Sequence, residues 1–512
     1  MWLMSDDAES VTNLSSEPAN PPHSEEATSP NIATESHSTA LLRMRLFEST
    51  DVMPLACFRI FFGAMMLYHV VTKLSDRWVD FFYIRPDFHL TYCGFSWVKP
   101  WPGQGMYLHF GVMGLAALGI LTGGFYRVST AVFVLCFTYV FLLEKALYQN
   151  HYYLICLISS IMVFVPANRM WSVDAYWKPM IWAQTVPQIW LLLLRIQVAI
   201  PYFYGGIAKI NDDWLHGMPM RLWLERRTHL LDVGSWLTHD LTVILFAWSG
   251  LIFDLLVVPA LLWRRTRFVA YLFAVGFHVT NSMFWNIGIF SWFMIGATLL
   301  FFPADSLRKP LSRQPGLRDK HPEHPGFWSR KQRITVAGVG LYLTWQLLFP
   351  FRHFLYPGVV SWTEEAHHFS WHMLLREKDT GIRFFIHHKR SNRLGLLKLS
   401  DFLGERQLSR MAKDPDMILD FVHFVRDHYL DHGEGEVEIR VLALASLNGR
   451  KPQLLMDPTI NYAAVDRVWG TQPWIIPLHE PLRKEAWNVP ASQWEDVLSD
   501  IIPDQIRSFG RQ

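Results

Sequence analysis

From about residue 54 to 350 the chain alternates long apolar runs with short polar connections. A helix that crosses a bilayer needs about 20 mostly apolar residues, roughly 17 to 25. Nine runs meet or approach that length: 54–73, 106–123, 129–144, 152–167, 188–209, 242–263, 268–285, 286–303 and 334–350. The stretch 268–303 is long enough for two spans, with a break near Asn281 to Asn286.

Basic residues give this pattern a direction. Arg43 and Arg45 precede the first run, and Arg127 separates the second from the third. Arg264, Arg265 and Arg267 separate the sixth from the seventh. The loop at 304–333 carries Arg308, Lys309, Arg313, Arg318, Lys320, Arg330, Lys331 and Arg333. Cytoplasmic loops carry the excess of Lys and Arg. Nine spans with a cytoplasmic N-terminus put all four clusters on that side. The expected fold is therefore an all-α membrane bundle of about nine transmembrane helices, 46–350, followed by an extracytoplasmic α+β domain, 351–512. In that domain Phe369–Leu375, Gly381–Ile386, Leu394–Leu399 and Val437–Leu444 alternate as strands do. Residues 402–430 read as one or two helices interrupted near Asp414-Pro415.

Ahead of the spans, residues 1–45 read as a disordered acidic tail. The first 40 hold seven acidic residues and no Lys or Arg, with neither the basic start nor the apolar stretch of a secretory signal. Asn13-Leu-Ser fits a glycosylation sequon but falls on the inner side.

Composition agrees with a membrane protein. Of 512 residues 51% are hydrophobic and 18% charged, against roughly 25% charged in soluble domains. The mean hydropathy is +0.12. A net charge of +2 gives no reason to expect nucleic acid. The four cysteines, Cys57, Cys93, Cys136 and Cys156, are too few for a disulfide scaffold and read as free thiols.

The chain lacks a Gly-Lys-Ser/Thr phosphate loop, a dinucleotide fingerprint, His-Glu-x-x-His and Gly-x-Ser-x-Gly. What remains is a set of polar groups at membrane depth, where such groups are costly and mark functional sites. Lys209 ends the fifth run, in Tyr204-Gly-Gly-Ile-Ala-Lys209-Ile-Asn-Asp-Asp-Trp214. It reads either as a snorkelling anchor or as a desolvated amine able to act as a base. Gly205 and Gly206 allow a flat ligand close to the backbone, or serve helix packing. Asn150-His151 opens the fourth run on the same outer side, where His151 reads as a proton relay or an interfacial histidine. Arg59 and Asp254 read as structural groups inside spans, each paired with another group or a backbone carbonyl. His278 and Asn281 sit at the centre or break of the long run and read as packing or site groups. The pairs His367-His368 and His387-His388 invite a metal, but no carboxylate or cysteine spacing supports one.

Taken together and in order, these segments resemble the vitamin K-dependent gamma-glutamyl carboxylases and their microbial relatives, the HTTM membrane proteins. The resemblance runs over roughly residues 50–480. It is carried by Phe58-Arg59, by Tyr139 to Lys145 leading to Asn150-His151, and by Trp171-Ser-Val-Asp174. Gly205-Gly-Ile-Ala-Lys209 with Asp213-Trp214 and Gly217 follows, then Phe277-His278 with Asn281-Ser282 and Ile287 to Ser291. Trp362-Thr363 and Ser370-Trp371-x-Met373 complete it.

The resemblance implies an enzyme in which reduced vitamin K, a naphthohydroquinone co-substrate, is oxygenated by O2 to its epoxide. The coupled step deprotonates the γ carbon of a glutamate in a protein or peptide, and CO2 adds, without a metal. It implies Lys209 as the base toward the quinol and His151 as hydrogen-bonding partner of the oxygenated species. Asn150, Gly205, Gly206, His278 and Asn281 then lie around the quinone, and Trp362 and Trp371 on the substrate side. Partners are the lipid bilayer, the quinone and a glutamate-containing protein or peptide.

The chain departs from the animal enzymes in lacking cysteine in its C-terminal part and a matching propeptide groove. That leans toward a shorter microbial-type member of an inner or plasma membrane rather than the endoplasmic reticulum. Two other readings stay open: a quinol epoxidase without carboxylation, and a non-catalytic transporter or binding protein.

Overall fold

The computed structural model describes residues 37–231, 235–285, 287–308, 328–468 and 470–509. The expected tail therefore lies largely outside the described residues, as do Asn13 and the basic positions from Lys309 to Lys320. Residues 37–45 were expected in the tail but form part of a helix, His37–Phe47, whose sequence brings Leu41, Leu42, Met44 and Leu46 within two turns.

All nine apolar runs are helical. They form α1 (Met53–Ser75), α2 (Gly105–Thr122), α3 (Tyr126–Leu143), α4 (Asn150–Met162), α5 (Gln188–Ala208), α6 (Asp240–Leu262), α7 (Arg267–Phe284), α8 (Phe290–Ala297) and α9 (Arg330–Leu348). Among the described residues, six of these are long and apolar enough to cross a membrane: α1, α2, α3, α5, α6 and α9. The expected count of nine is not reached by these criteria. Helix α4 has 13 residues. Helix α7 has the length, but Arg267, His278, Thr280 and Asn281 dilute its apolar character. Helix α8 and the 3-10 turn after it are short.

The bundle is held by close approaches as well as by apolar burial. At Gly63 an added Cβ would lie 2.3 Å from the Leu121 backbone nitrogen, so only glycine lets α1 and α2 touch there. Gly123 takes the left-handed conformation (φ 67) that closes α2. Next to it Asp174 accepts from the backbone N–H of Phe125 (2.7 Å) and Tyr126 (3.0 Å), satisfying the start of α3. Arg59, inside α1, donates to the Trp171 carbonyl at 2.5 Å. The segment Trp171 to Asp174 is thus a staple across three helices.

The second part is built on an antiparallel sheet. Strands β1 (Lys378–His388), β2 (Arg393–Leu396), β3 (Val437–Leu447) and β4 (Gln453–Leu454) lie in the order β2-β1-β3-β4. Lys378 faces Leu447 at one end and His388 faces Val437 at the other. Helix α10 (Pro415–Asp431) covers the sheet with Ile418, Phe421, Val422 and Val425. Asp414 caps it, accepting from Asp416 and Met417, which explains the break expected at Asp414-Pro415. Residues 369–375 are not the expected strand. Positive φ at Phe369 (63), Trp371 (59) and Leu374 (51) breaks the alternation and sends successive side chains in different directions.

Ion pairs join sheet and helices. Asp213, just past α5, meets Arg450 through two contacts of 2.7 Å. Lys145, just past α3, meets Asp416 at 2.6 Å. Glu144 accepts from Gln407 at 2.8 Å. The four cysteines are free thiols.

Candidate functional site

A cavity of about 610 Å³ opens where α5, α6, α7 and α8 meet the loop 369–375. Its walls are mainly aromatic and aliphatic, with Trp214, Phe253, Phe277 and Phe290 among them. Its polar groups include Lys209, Asp254, His278 and Asn281. That composition, apolar walls with a few convergent polar groups, is what small-molecule sites share.

Lys209 sits at the C-terminal cap of α5, where its own backbone N–H donates to the Gly206 and Ile207 carbonyls. Its Nζ donates to the Gly205 carbonyl at 3.2 Å and to Asp254 Oδ2 at 2.6 Å. The ammonium also lies 5.2 Å from the centre of the Trp214 ring. The Trp214 ring is fixed in turn by a bond from its Nε1 to the Ala247 carbonyl at 2.8 Å. Glycine makes room for this arrangement. A Cβ at Gly205 would stand 3.1 Å from Met373 Cε and 3.4 Å from Asp254 Oδ2. Gly206 faces elsewhere: its Cβ would stand 2.6 Å from Leu255, so it packs α5 against α6.

On the opposite helix His278 is 1% exposed. Its Nε2 shares a hydrogen bond of 2.7 Å with the Tyr202 hydroxyl. Among the described residues its Nδ1 has no partner. A buried ring nitrogen is costly to leave unbonded. Asn281 lines the same cavity one turn further along α7.

Besides Gly206, four expected site residues are not brought to this cavity. His151 packs edge-on to Tyr152 (4.7 Å between centroids) and lies 5.7 Å from the Phe290 ring, which also meets His278 at 6.0 Å. Phe290 lines the cavity and His151 does not. Asn150 donates to the His372 carbonyl at 3.0 Å and accepts from the Tyr148 hydroxyl at 2.9 Å. It holds the loop from which Met373 and Leu374 reach the cavity. Trp371 turns into the helical core beside Tyr153, 5.0 Å away. Trp362 is wholly buried beneath the sheet and donates to the Ile476 carbonyl.

In the sequence Asp254 reads as a structural group, and Tyr202 and Leu374 carry no signal of their own. A carboxylate inside an apolar run had to find a cation, and Lys209 is the cation it found. The two histidine pairs do not meet each other; His367 has His368 and His372 as ring neighbours. His367 is bonded by Arg376 at 2.8 Å, His387 meets Asn392, and His388 meets Tyr429 edge-on. Among the described residues no group of three or more His, Cys, Asp or Glu is arranged to hold a metal ion.

The walls from Pro201 to Met294 lie within residues 47–305, which match the HTTM domain family over about half of the chain. The loop that closes the cavity lies within residues 331–481, which match the vitamin K-dependent gamma-carboxylase lumenal domain. The chain belongs to the vitamin K-dependent gamma-carboxylase family. No solved structure matches it. In this family member the cavity is a product of both matched segments: Lys209, Asp254 and His278 come from the first, Met373 and Leu374 from the second.

Proposed function

We propose that this protein is an integral membrane carboxylase that couples oxidation of reduced vitamin K to the γ-carboxylation of glutamate in a protein or peptide. The observation that carries the reading is the buried Lys209–Asp254 pair in an otherwise apolar cavity, at the seam of the two family segments.

The residues present fit a naphthohydroquinone. Phe253, Phe277 and Trp214 offer ring faces to a flat aromatic head. The free Nδ1 of His278 offers a hydrogen bond to a ring oxygen, and Lys209 offers a second polar contact. A volume of about 610 Å³ suits a bicyclic head with part of its side chain. When bound, the quinol supplies with O2 the strong base that the γ carbon of glutamate requires, and CO2 then adds.

The chain's own residues do the rest. Lys209 manages the proton of the quinol hydroxyl, a phenol-like group with a reference value near 10. His278 and Tyr202 fix the orientation of the ring, and Asn281 lies one turn from His278 on the same wall. Asn150 holds the closing loop through His372, and His151 backs Phe290. Met373 and Leu374 close the cavity against water, which would otherwise quench a carbanion. The substrate glutamate approaches from the side of the sheet domain, near the seam that Trp371 and Trp362 stiffen.

In this reading residues 46–350 form the catalytic bundle and 351–512 an extracytoplasmic domain, with the N-terminus in the cytoplasm. The location is an inner or plasma membrane, or the endoplasmic reticulum in a eukaryote.

The test is Lys209→Ala in nanodiscs with reduced vitamin K and O2. General base catalysis contributes roughly 10²- to 10⁴-fold, so epoxide formation falls by about that factor while the oxidised quinone still binds. A variant that forms epoxide at the wild-type rate contradicts the assignment.

A further inference from the structure

Lys209 meets Asp254 as an ion pair, with Nζ 2.6 Å from Oδ2 and both side chains less than a tenth exposed. An ammonium carries three donors and no lone pair. In this state Lys209 has nothing with which to accept a proton, whereas the oxygens of Asp254 do. We propose that Asp254 is the group on which the proton of a bound quinol comes to rest, with Lys209 as the relay. This inference rests on the reading of the cavity given above.

The step balances without an oxidant. The O–H bond of the quinol breaks and its electron pair stays on oxygen. The proton passes to the amine as the amine hands one of its own to Asp254, where a new O–H bond forms. The cavity is neutral before, with an ammonium and a carboxylate. It is neutral after, with an oxyanion, an ammonium and a carboxylic acid. If Asp254 kept its charge and the proton left the cavity, two anions would share one cation in an apolar space, where like charges repel strongly.

The surroundings permit this exchange. Gly205 and Gly250 leave the pair uncrowded: a Cβ at Gly205 would lie 3.9 Å from Lys209 Nζ, and one at Gly250 would lie 4.0 Å from Lys209 Cε. The other titratable groups of the cavity, Tyr202 and His278, bond each other at 2.7 Å. The carboxyl has one hydrogen-bonding neighbour in the cavity among the described residues, Lys209 Nζ on Oδ2.

Two measurements on the full chain in nanodiscs test the assignment. The first needs no turnover. An apolar amine-acylating reagent is applied to quinone-free protein at neutral pH, and modification of Lys209 is read by peptide mass spectrometry. Wild-type Lys209 is expected to stay unmodified because the ion pair with Asp254 holds its proton, while in Asp254→Asn the amine is still mostly protonated but its small neutral fraction is free to react. Rapid acylation of wild-type Lys209 would overturn the proposal, even if the Asn variant fails to fold.

The second follows epoxide formation against pH in wild type, Asp254→Asn and Asp254→Glu. The Asn variant is expected to fall about a hundredfold at neutral pH, to recover as pH rises, and to bind oxidised quinone as wild type does. The Glu variant is expected to restore most of the rate and the wild-type pH profile. An Asn variant with wild-type rate and profile would overturn the role of Asp254 and leave the carboxylase reading intact. A wild-type protein that forms no epoxide would remove that reading, and this inference with it.

Discussion

Asp213 and Arg450 lock the end of the fifth helix to the sheet domain. Arg450 reaches the two carboxylate oxygens through separate nitrogens, each at 2.7 Å, and Asn448 adds a third bond to Oδ2 at 2.6 Å. Both charged side chains are largely buried, and bidentate geometry of this kind is the strong form of the ion pair. Asp213 immediately precedes Trp214, so the same contact that docks the sheet also fixes a wall of the cavity. Removing one partner of a buried pair costs about 3–5 kcal/mol. Arg450→Ala is therefore expected to lower the melting temperature in detergent and to expose Trp214 to a fluorescence quencher. Unchanged melting and quenching would show that the two parts dock by other means.

A second lock should respond to acid. The Asp416 side chain is partly exposed; its partial desolvation alone would raise its pKa, but the charges of Lys145 and Arg467 hold it down to about 2. Its neighbour Asp420 is pushed the other way by burial and by the charge of Asp416. A depressed carboxylate contributes stability that is present above its unfolded value of 3.8 and lost as pH falls through about 2. The raised Asp420 works in the opposite sense and gains its proton first. Docking is accordingly expected to survive from pH 7 to about 4 and to fail below. Lys145→Met should move that failure upward in pH. Limited proteolysis across the pH range reads the transition, and a wild-type docking loss already near pH 6 would contradict it.

Helix packing gives a sharper prediction. Gly63→Ala would set a Cβ 2.3 Å from the backbone of Leu121, where nothing flexible can yield. At Gly111, on the partner helix α2, an added Cβ would meet no atom within 4 Å. We expect Gly63→Ala to cost about 1–3 kcal/mol, as overpacking does, and Gly111→Ala to be nearly neutral. Equal melting temperatures for the two variants would show that the close approach carries no energy.

His278 offers a test of ligand orientation. Its Nδ1 has no partner among the described residues, and the residue lines a cavity that also holds Lys209. One hydrogen bond contributes about 0.5–1.5 kcal/mol. His278→Phe should therefore weaken binding of oxidised quinone by up to about tenfold, read by quenching of tryptophan fluorescence. Tyr202→Phe should do less, because it removes the partner of the other nitrogen. Identical affinities in all three proteins would place the ligand elsewhere.

Much of the fold was legible because it follows from periodicity. The nine apolar runs are helices, and the alternating segments at 381–386 and 437–444 lie in paired strands. Span count was less legible, since His278 and Asn281 make α7 polar for reasons that lie in the cavity rather than in the bilayer. Phe369–Leu375 looked like a strand because alternation cannot reveal positive φ.

At the site, Lys209, His278 and Asn281 stood out as expensive polar groups in apolar runs. Asp254 stood out too, but its partner is 45 residues away, and nothing local in the sequence pairs them. Resemblance placed Asn150 and His151 near the quinone. Neither lines the cavity of Lys209, though the His151 ring meets Phe290, which does. Trp362 and Trp371 were legible as landmarks, and both are buried.

One cavity, organised by Lys209, is expected to couple quinol oxidation to glutamate carboxylation. The most direct measurement supplies purified protein in nanodiscs with reduced vitamin K, O2, labelled bicarbonate and a glutamate-containing peptide, and reads epoxide and peptide label from the same reaction. Both products are expected in wild type, and the loss of both in Lys209→Ala. Epoxide without label would leave a quinol epoxidase without carboxylation, and wild type that yields neither product would contradict the proposed coupling outright.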